Sequence, residues 1–238
     1  MRAFYFLPIM LCSFPVYSQP TISVEANPSE YLSSLKQEMQ AEWPENRTIN
    51  LVFHGHSVPA GYFKTPHVNT MSAYPNLVLK KIKSIYPHAV VNVIVTAIGG
   101  ENSVKGAERF EKDVLVHNPD ILFIDYGLND RRAGLAASYN AWNEMIKKAK
   151  KQHIKVILLT PSPDQKVEYS DPNNELRKHT DQIIRLAHEH QVGLVDSYMA
   201  FEFLYARKKK LKKYMSQVNH TNKKGHELIA NEIIKYFN

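Results

Sequence analysis

The sequence predicts an α/β fold, a parallel sheet of five strands with helices on both faces. Three observations lead there. From residue 48 onward, short runs rich in Val, Ile and Leu alternate with amphipathic helical stretches. The runs are apolar along their length rather than at every second position, as strands covered on both faces are. Strands and helices alternate one by one, the order that βαβ units impose. The 238 residues suffice for one domain with a substantial core. No internal repeat, low-complexity segment or second domain is visible.

Residues 1–18 read as a secretory signal. Arg2 supplies the positive end, "AFYFLPIMLC" the apolar stretch, and Val16 and Ser18 the small positions before a cut near Gln19. A lipoprotein cut ahead of Cys12 is the rival reading, and the bulk of Leu11 stands against it. The apolar stretch is interrupted by proline and shorter than the about 20 residues of a bilayer span. A periplasmic or secreted protein without stable membrane insertion is therefore expected. Cys12 is the sole cysteine, so the mature chain would hold no disulfide, thiol nucleophile or cysteine metal site.

Residues 19–47 form an N-terminal extension with one helix, Ser29 as its cap and Pro44 as its stop. The main domain then spans 48–238. Its strands are Ile49–His54, Val90–Ala97, Ile121–Tyr126, Lys155–Thr160 and Gly193–Asp196. Helical patterns lie near 74–86, 104–117, 135–152 and 174–190, and a last helix runs from about Asn222 to Phe237.

The formal charge is +7. Arg207, Lys208, Lys209, Lys210, Lys212 and Lys213 sit in "ARKKKLKKY" with no acid among them, which leaves the remainder near neutral. Such a distribution argues against a general nucleic-acid binder. The run is either a solvated helix face or a patch that attracts an anionic polysaccharide.

Functional groups of parallel sheets gather at the carboxyl ends of the strands. After the first strand stands "GHS" with Ser57, and after the second "AIGGENS" with Gly99 and Gly100. After the third stands "YGLND" with Asn129 and Asp130. Ahead of the last helix stands "QVNHTNKKGH" with His220. Ester cleavage needs an activated hydroxyl, a base and donors for a developing oxyanion. Ser57 offers the hydroxyl, and His220 an imidazole that titrates near neutrality. Gly100 offers an unobstructed backbone N–H, Asn129 a side-chain N–H, and Ser57 its own N–H.

The ordered blocks "GHS", "GG", "GLND" and "NHTNKKGH" resemble the SGNH (GDSL-type) hydrolase family over about residues 48–238. The resemblance implies a flavodoxin-like three-layer α/β/α sandwich. It implies a serine hydrolase with Ser57 as nucleophile, His220 as base, and Ser57 N–H, Gly100 and Asn129 as oxyanion hole. No cofactor or metal is required. Implied substrates are small acyl esters on sugars, lipids or other carriers.

The sequence departs from the family at two places. His56 stands where the family has Asp before the serine. Gln217 stands where the family has Asp three residues before the histidine. A carboxylate there would orient the imidazole and stabilise its charged form, and losing it costs about 10⁴-fold in serine proteases. Gln217 either orients His220 through its amide or points to water. An active enzyme needs another orienting group, a backbone carbonyl or a carboxylate from elsewhere; Asp130 and Glu101 lie nearby.

Two other classes remain in view. His54 and His56, two apart on a strand, match a metal-binding pattern of eight-stranded barrel hydrolases. Such barrels take about 250 residues, and only five strands are found. A carbohydrate-binding protein on a hydrolase scaffold would suit the missing Asp and the basic run. The leading expectation is an exported serine esterase acting on a short acyl group, acetyl first, on carbohydrate. A lipid-type esterase is the alternative with the same chemistry.

Overall fold

The first apolar run, "TINLVFHG", has no polar face because helices cover it on both sides. The computed structural model describes Met1, residues 26–207 and residues 211–238. Most of the expected leader, Cys12 included, and Lys208–Lys210 of the basic run lie outside the described residues.

In chain order, α1 (Pro28–Tyr31) and α2 (Ser33–Gln40) precede β1 (Thr48–Gly55). Then come α3 (Tyr74–Ile85), β2 (Val90–Val95), α4 (Ser103–Glu108) and α5 (Phe110–Asp113). β3 (Ile121–Asp125), α6 (Gly127–Asp130), α7 (Leu135–Lys151) and β4 (Lys155–Leu159) follow. The chain closes with α8 (Glu175–His190), β5 (Gly193–Val195), α9 (Ser197–Ala206), β6 (Met215–Gln217), β7 (His220–Thr221) and α10 (Lys223–Ile234).

β1 to β5 form one sheet in the order β2-β1-β3-β4-β5, and every pairing is parallel. This is the flavodoxin-like order, whose direction reverses between β1 and β3. Alternate strand residues feed two cores. Leu51 and Phe53 of β1 pack with Tyr74, Val78 and Ile82 of α3 and Ile229 and Ile233 of α10. Val52 packs with Trp142, Met145 and Ile146 of α7 and with Leu186 of α8. The result is the expected three-layer α/β/α sandwich. Phe53 and Phe123, register partners across β1 and β3, stack with centroids 4.3 Å apart. Truncating either to Ala would cost about 3–5 kcal/mol. Leu32, Leu35 and Met39 share the first core, so the N-terminal helices pack on the sheet domain.

Several local expectations change. Asn27, not Ser29, caps the first helix, accepting from Ser29 N at 3.1 Å. The second helix ends at Gln40, ahead of Pro44. The stretch 104–117 is not one helix. It breaks at Arg109 (φ −107°, ψ 4°) into α4, α5 and a 3-10 turn at Leu115–His117. The break lets the Arg109 guanidinium reach Glu101 at 2.9 Å while Phe110 enters the core beside His54. The short helix α6, the helix α9 and the hairpin β6–β7 were not foreseen. Of the basic run, Arg207 lies just past α9, and Lys212 and Lys213 lie in a 3-10 turn, Leu211–Tyr214. Those three are exposed and form no continuous helical face. No helix among the described residues is long and apolar enough to cross a membrane.

Candidate active site

β1 ends against β3 so closely that only glycine fits. A Cβ on Gly55 would lie 2.3 Å from the Asp125 carbonyl oxygen. That oxygen accepts from His56 N at 3.2 Å, and the chain turns sharply there. Gly61 N then donates to Val58 O at 2.9 Å and Tyr62 N to Ser57 O at 3.0 Å, closing a tight turn that holds Ser57. Ser57 stands in a turn, not at a helix start, because α3 begins only at Tyr74.

His220 comes from the other end of the chain. Asn222 caps α10 by accepting from Lys224 N at 2.9 Å, and its amide donates to Lys213 O at 2.9 Å. The same amide donates to Met215 O at 3.2 Å, which ties the β6–β7 hairpin to the start of the helix. The hairpin pairs Gln217 with His220. His220 Nε2 lies 2.9 Å from Ser57 Oγ, and both residues are buried. A hydroxyl within hydrogen-bond reach of an imidazole is the geometry that proton transfer requires.

The other imidazole nitrogen, Nδ1, has two neighbours with opposite demands. The Phe63 carbonyl lies 2.9 Å away and Gln217 Nε2 2.8 Å away. Donation from Nδ1–H to Phe63 O leaves Nε2 free to accept the Ser57 proton. Donation from the Gln217 amide needs a bare Nδ1 and places the proton on Nε2, facing Ser57. The amide orientation is set by Thr65, whose backbone N–H donates to Gln217 Oε1 at 3.0 Å. Phe63 is itself held by its ring, stacked on His226 of α10 with centroids 5.0 Å apart. Burial pushes His220 below its ordinary pKa; the Phe63 carbonyl opposes this, and the nearby His56 ring adds to it.

Gly100 has φ +81° and borders open space, with nothing within 4 Å of where a Cβ would stand. Asn129, in α6, is buried and donates through Nδ2 to Glu101 O at 2.9 Å, joining the loops after β2 and β3. A carboxamide has two N–H protons, so the bond to Glu101 leaves the second available. Ser57, Gly100, Asn129, Gln217 and His220 line one cleft of ≈ 360 Å³, together with Tyr62, Thr65, Arg132 and Asn219. Hollows of ≈ 440 and ≈ 450 Å³ elsewhere lack such a grouping.

Neither nearby carboxylate faces His220. Asp130 accepts from Ser103 N at 2.8 Å and Trp142 Nε1 at 2.6 Å, and burial raises its pKa. Glu101 binds Arg109 and the Tyr126 hydroxyl, the latter at 2.8 Å. The two histidines of the rival metal reading do not share a face, because the turn after Gly55 separates them. His54 lies against Phe110 and Tyr126, with Nδ1 2.9 Å from Thr96 Oγ1 and Nε2 3.2 Å from Gly106 O. Burial pushes its pKa down to about 3. His56 accepts from Val58 N at 3.2 Å, and its Nε2 lies 3.3 Å from Asp125 Oδ1 without hydrogen-bond alignment. Among the described residues no group of three His, Cys, Asp or Glu converges as metal ligands do.

The Phe63 carbonyl, Thr65 and Arg132 went unnoticed in the sequence. Every residue carries a carbonyl, so no residue type could have marked the first. Arg132 does follow "GLND" directly, and that adjacency is a signal a reader could have used.

Residues 53–228 match the profile of the GDSL-like lipase/acylhydrolase family. No curated protein matches the chain. Solved structures do. A two-domain esterase active on acetylated mannans, bound to mannopentaose, superposes with a TM-score of 0.73 at 20% identity. That match covers 90% of this chain and 54% of that one, so this chain spans about half of it. An acetylxylan esterase from Geobacillus stearothermophilus gives a TM-score of 0.67 at 19% identity, covering 79% of this chain and 94% of that one. An α/β hydrolase from the metagenome of Lake Arreo gives 0.68 at 21%, covering 84% and 97%. The profile match over most of the length, on a fold these structures share, places the chain in the GDSL-like lipase/acylhydrolase family, hydrolases acting on carboxylic esters.

Proposed function

We propose that this protein is an exported serine esterase that removes short acyl groups, acetyl first, from carbohydrate. The observation that carries the reading is the 2.9 Å contact between Ser57 Oγ and His220 Nε2, with the Phe63 carbonyl on the far side of the ring. Ser57 Oγ attacks the ester carbonyl carbon as its proton passes to His220 Nε2. The carbonyl oxygen, now negative, is held by the N–H groups of Ser57 and Gly100 and by Asn129 Nδ2. His220 returns the proton to the leaving alcohol, which departs as the C–O bond breaks and the acyl-enzyme remains. Water then gives a proton to His220 and attacks the acyl carbon, and the acid and free Ser57 are released. Every group these steps need is on the chain.

The preference for a short acyl group rests on the modest cleft volume, ≈ 360 Å³, near the low end for small-molecule pockets. The carbohydrate rests on the acetylated mannans and xylan named for the structural relatives. Export rests on the leader-like residues 1–18, with residues 48–238 as the hydrolase domain. The test is hydrolysis of 4-nitrophenyl acetate by wild type and Ser57→Ala, both with EDTA. A loss of about a thousandfold or more in the variant is expected. Equal rates in both proteins, or none in either, would remove the serine mechanism on this substrate.

One observation favours a second reading, a carbohydrate-binding protein without turnover. The Gln217 amide, 2.8 Å from His220 Nδ1, supports the tautomer that cannot deprotonate Ser57. Wild type that binds acetylated oligosaccharides but cleaves no ester would establish it.

A further inference from the structure

Arg132 lies beside the proposed oxyanion donors, and no carboxylate among the described residues pairs with its charge. It follows α6, and its backbone N–H donates to Asn129 O at 3.1 Å, so it is mounted on the same helical turn as Asn129. Its neighbour Arg131 is committed to Asp164 at 2.8 Å. Among the described residues, Arg47, Arg109, Arg177 and Arg185 also pair with carboxylates, and Arg207 stacks on Phe203. Arg132 is the described arginine with neither a carboxylate nor a ring. It is exposed and lines the cleft, and no Asp or Glu lines it with it. Apart from the Ser57–His220 pair, the other polar liners, Tyr62, Thr65, Asn129, Asn219 and Gln217, are neutral.

A lone guanidinium in a cleft without acid raises the local concentration of anionic ligands. Its planar fork grips carboxylate or sulfate through two parallel hydrogen bonds. We infer that the substrate carries an anionic group, a carboxylate or sulfate on the sugar, that Arg132 binds in the same cleft as the ester. The inference rests on the esterase reading and narrows its substrate class to acylated acidic glycans. Arg132 acts here on selection, since no step of the chemistry passes through it.

The experiment compares wild type, Arg132→Gln and Arg132→Lys at low ionic strength. Substrates are 4-nitrophenyl acetate, O-acetylated xylo-oligosaccharides, the same oligosaccharides bearing sulfate, and O-acetylated oligogalacturonides. Arg132→Gln is expected to raise KM on an acidic substrate about fivefold to tenfold. It should leave 4-nitrophenyl acetate and the neutral oligosaccharide within twofold. Arg132→Lys should recover only part, because an ammonium keeps the charge and loses the fork. Salt should weaken wild type on the acidic substrate and leave Arg132→Gln unmoved. Whichever acidic arm responds identifies carboxylate or sulfate. An unchanged ratio of acidic to neutral kcat/KM in Arg132→Gln overturns the inference and leaves the esterase reading standing. Wild type inactive on every ester overturns the esterase reading instead. Calorimetry with de-acetylated oligogalacturonide and sulfated xylo-oligosaccharide then decides the role of Arg132. Binding lost in Arg132→Gln supports it, and equal or absent binding sinks it.

Discussion

The sharpest question at the scale of single residues is what sets the tautomer of His220. A family carboxylate would both accept from Nδ1–H and stabilise the imidazolium. The Phe63 carbonyl can do the first and, as a dipole, only weakly the second. Gln217, pinned by Thr65, competes for the same nitrogen with a donor. Gln217→Glu keeps the side-chain length and replaces that donor with a charged acceptor. It is expected to raise kcat on 4-nitrophenyl acetate. In the proposed mechanism His220 must be neutral to take the proton, and burial lowers its pKa from the ordinary 6.5. The acidic limb of kcat/KM in wild type should therefore fall below pH 6.5. In Gln217→Glu the added charge holds the proton more tightly, and the limb should move up by about one unit. A limb that stays put, with an unchanged kcat, would mean that Phe63 already supplies all the orientation the ring needs.

Among the elements, the turn after β1 is the joint on which the site depends. Gly55 is required by contact with β3 rather than by any unusual backbone angle. Its missing Cβ is what allows His56 N to reach the Asp125 carbonyl. Gly55→Ala must push β3 away or unseat the turn, and overpacking of this kind costs about 1–3 kcal/mol or more. We expect a Tm lowered by several degrees and a larger relative loss of esterase activity, because Ser57 moves with the turn. Thermal unfolding followed beside 4-nitrophenyl acetate turnover checks this; a Tm and rate equal to wild type would refute it. The elements the sequence hid share a cause. In α9, "SYMAFEFLYA" is apolar nearly all round, so no 3.6-residue stripe stands out, and Met199 and Phe203 remain exposed. The hairpin β6–β7 is too short to show a period of two. The break at Arg109 goes with its side-chain contact to Glu101, eight residues back, which no apolar periodicity records.

For the molecule as a whole, buried imidazoles tie stability to pH. His54 and His226 are fully enclosed, and burial pushes both down to about 3. In the unfolded chain they titrate near 6.5. A depressed folded-state value for a base means that the unfolded state binds more protons between these limits. Their contribution is therefore intact above about pH 6.5 and lost as pH falls toward 3. At pH 5 each should cost about 2 kcal/mol. Urea unfolding at pH 7.5 and pH 5 measures the sum, and equal or greater stability at pH 5 would contradict it.

The sequence by itself determined the sheet, its five parallel strands and the strand ends at which chemistry collects. Those follow from the apolar patterning of each run and from the one-by-one alternation of strands and helices, which need no knowledge of distant contacts. It also marked Ser57, Gly100, Asn129 and His220, because their residue types sit in short ordered blocks. Only the tertiary structure decided that Ser57 and His220, 163 residues apart, stand 2.9 Å from each other. It alone gave His54 and His56 separate neighbours, Tyr126 and Phe110 for one and Asp125 and Val58 for the other, committed Asp130 and Glu101 to other partners and put the Phe63 carbonyl against His220. A main-chain carbonyl belongs to every residue and an unpaired charge is defined by its surroundings. Neither property is written in residue identity; both come from how the folded chain fills space.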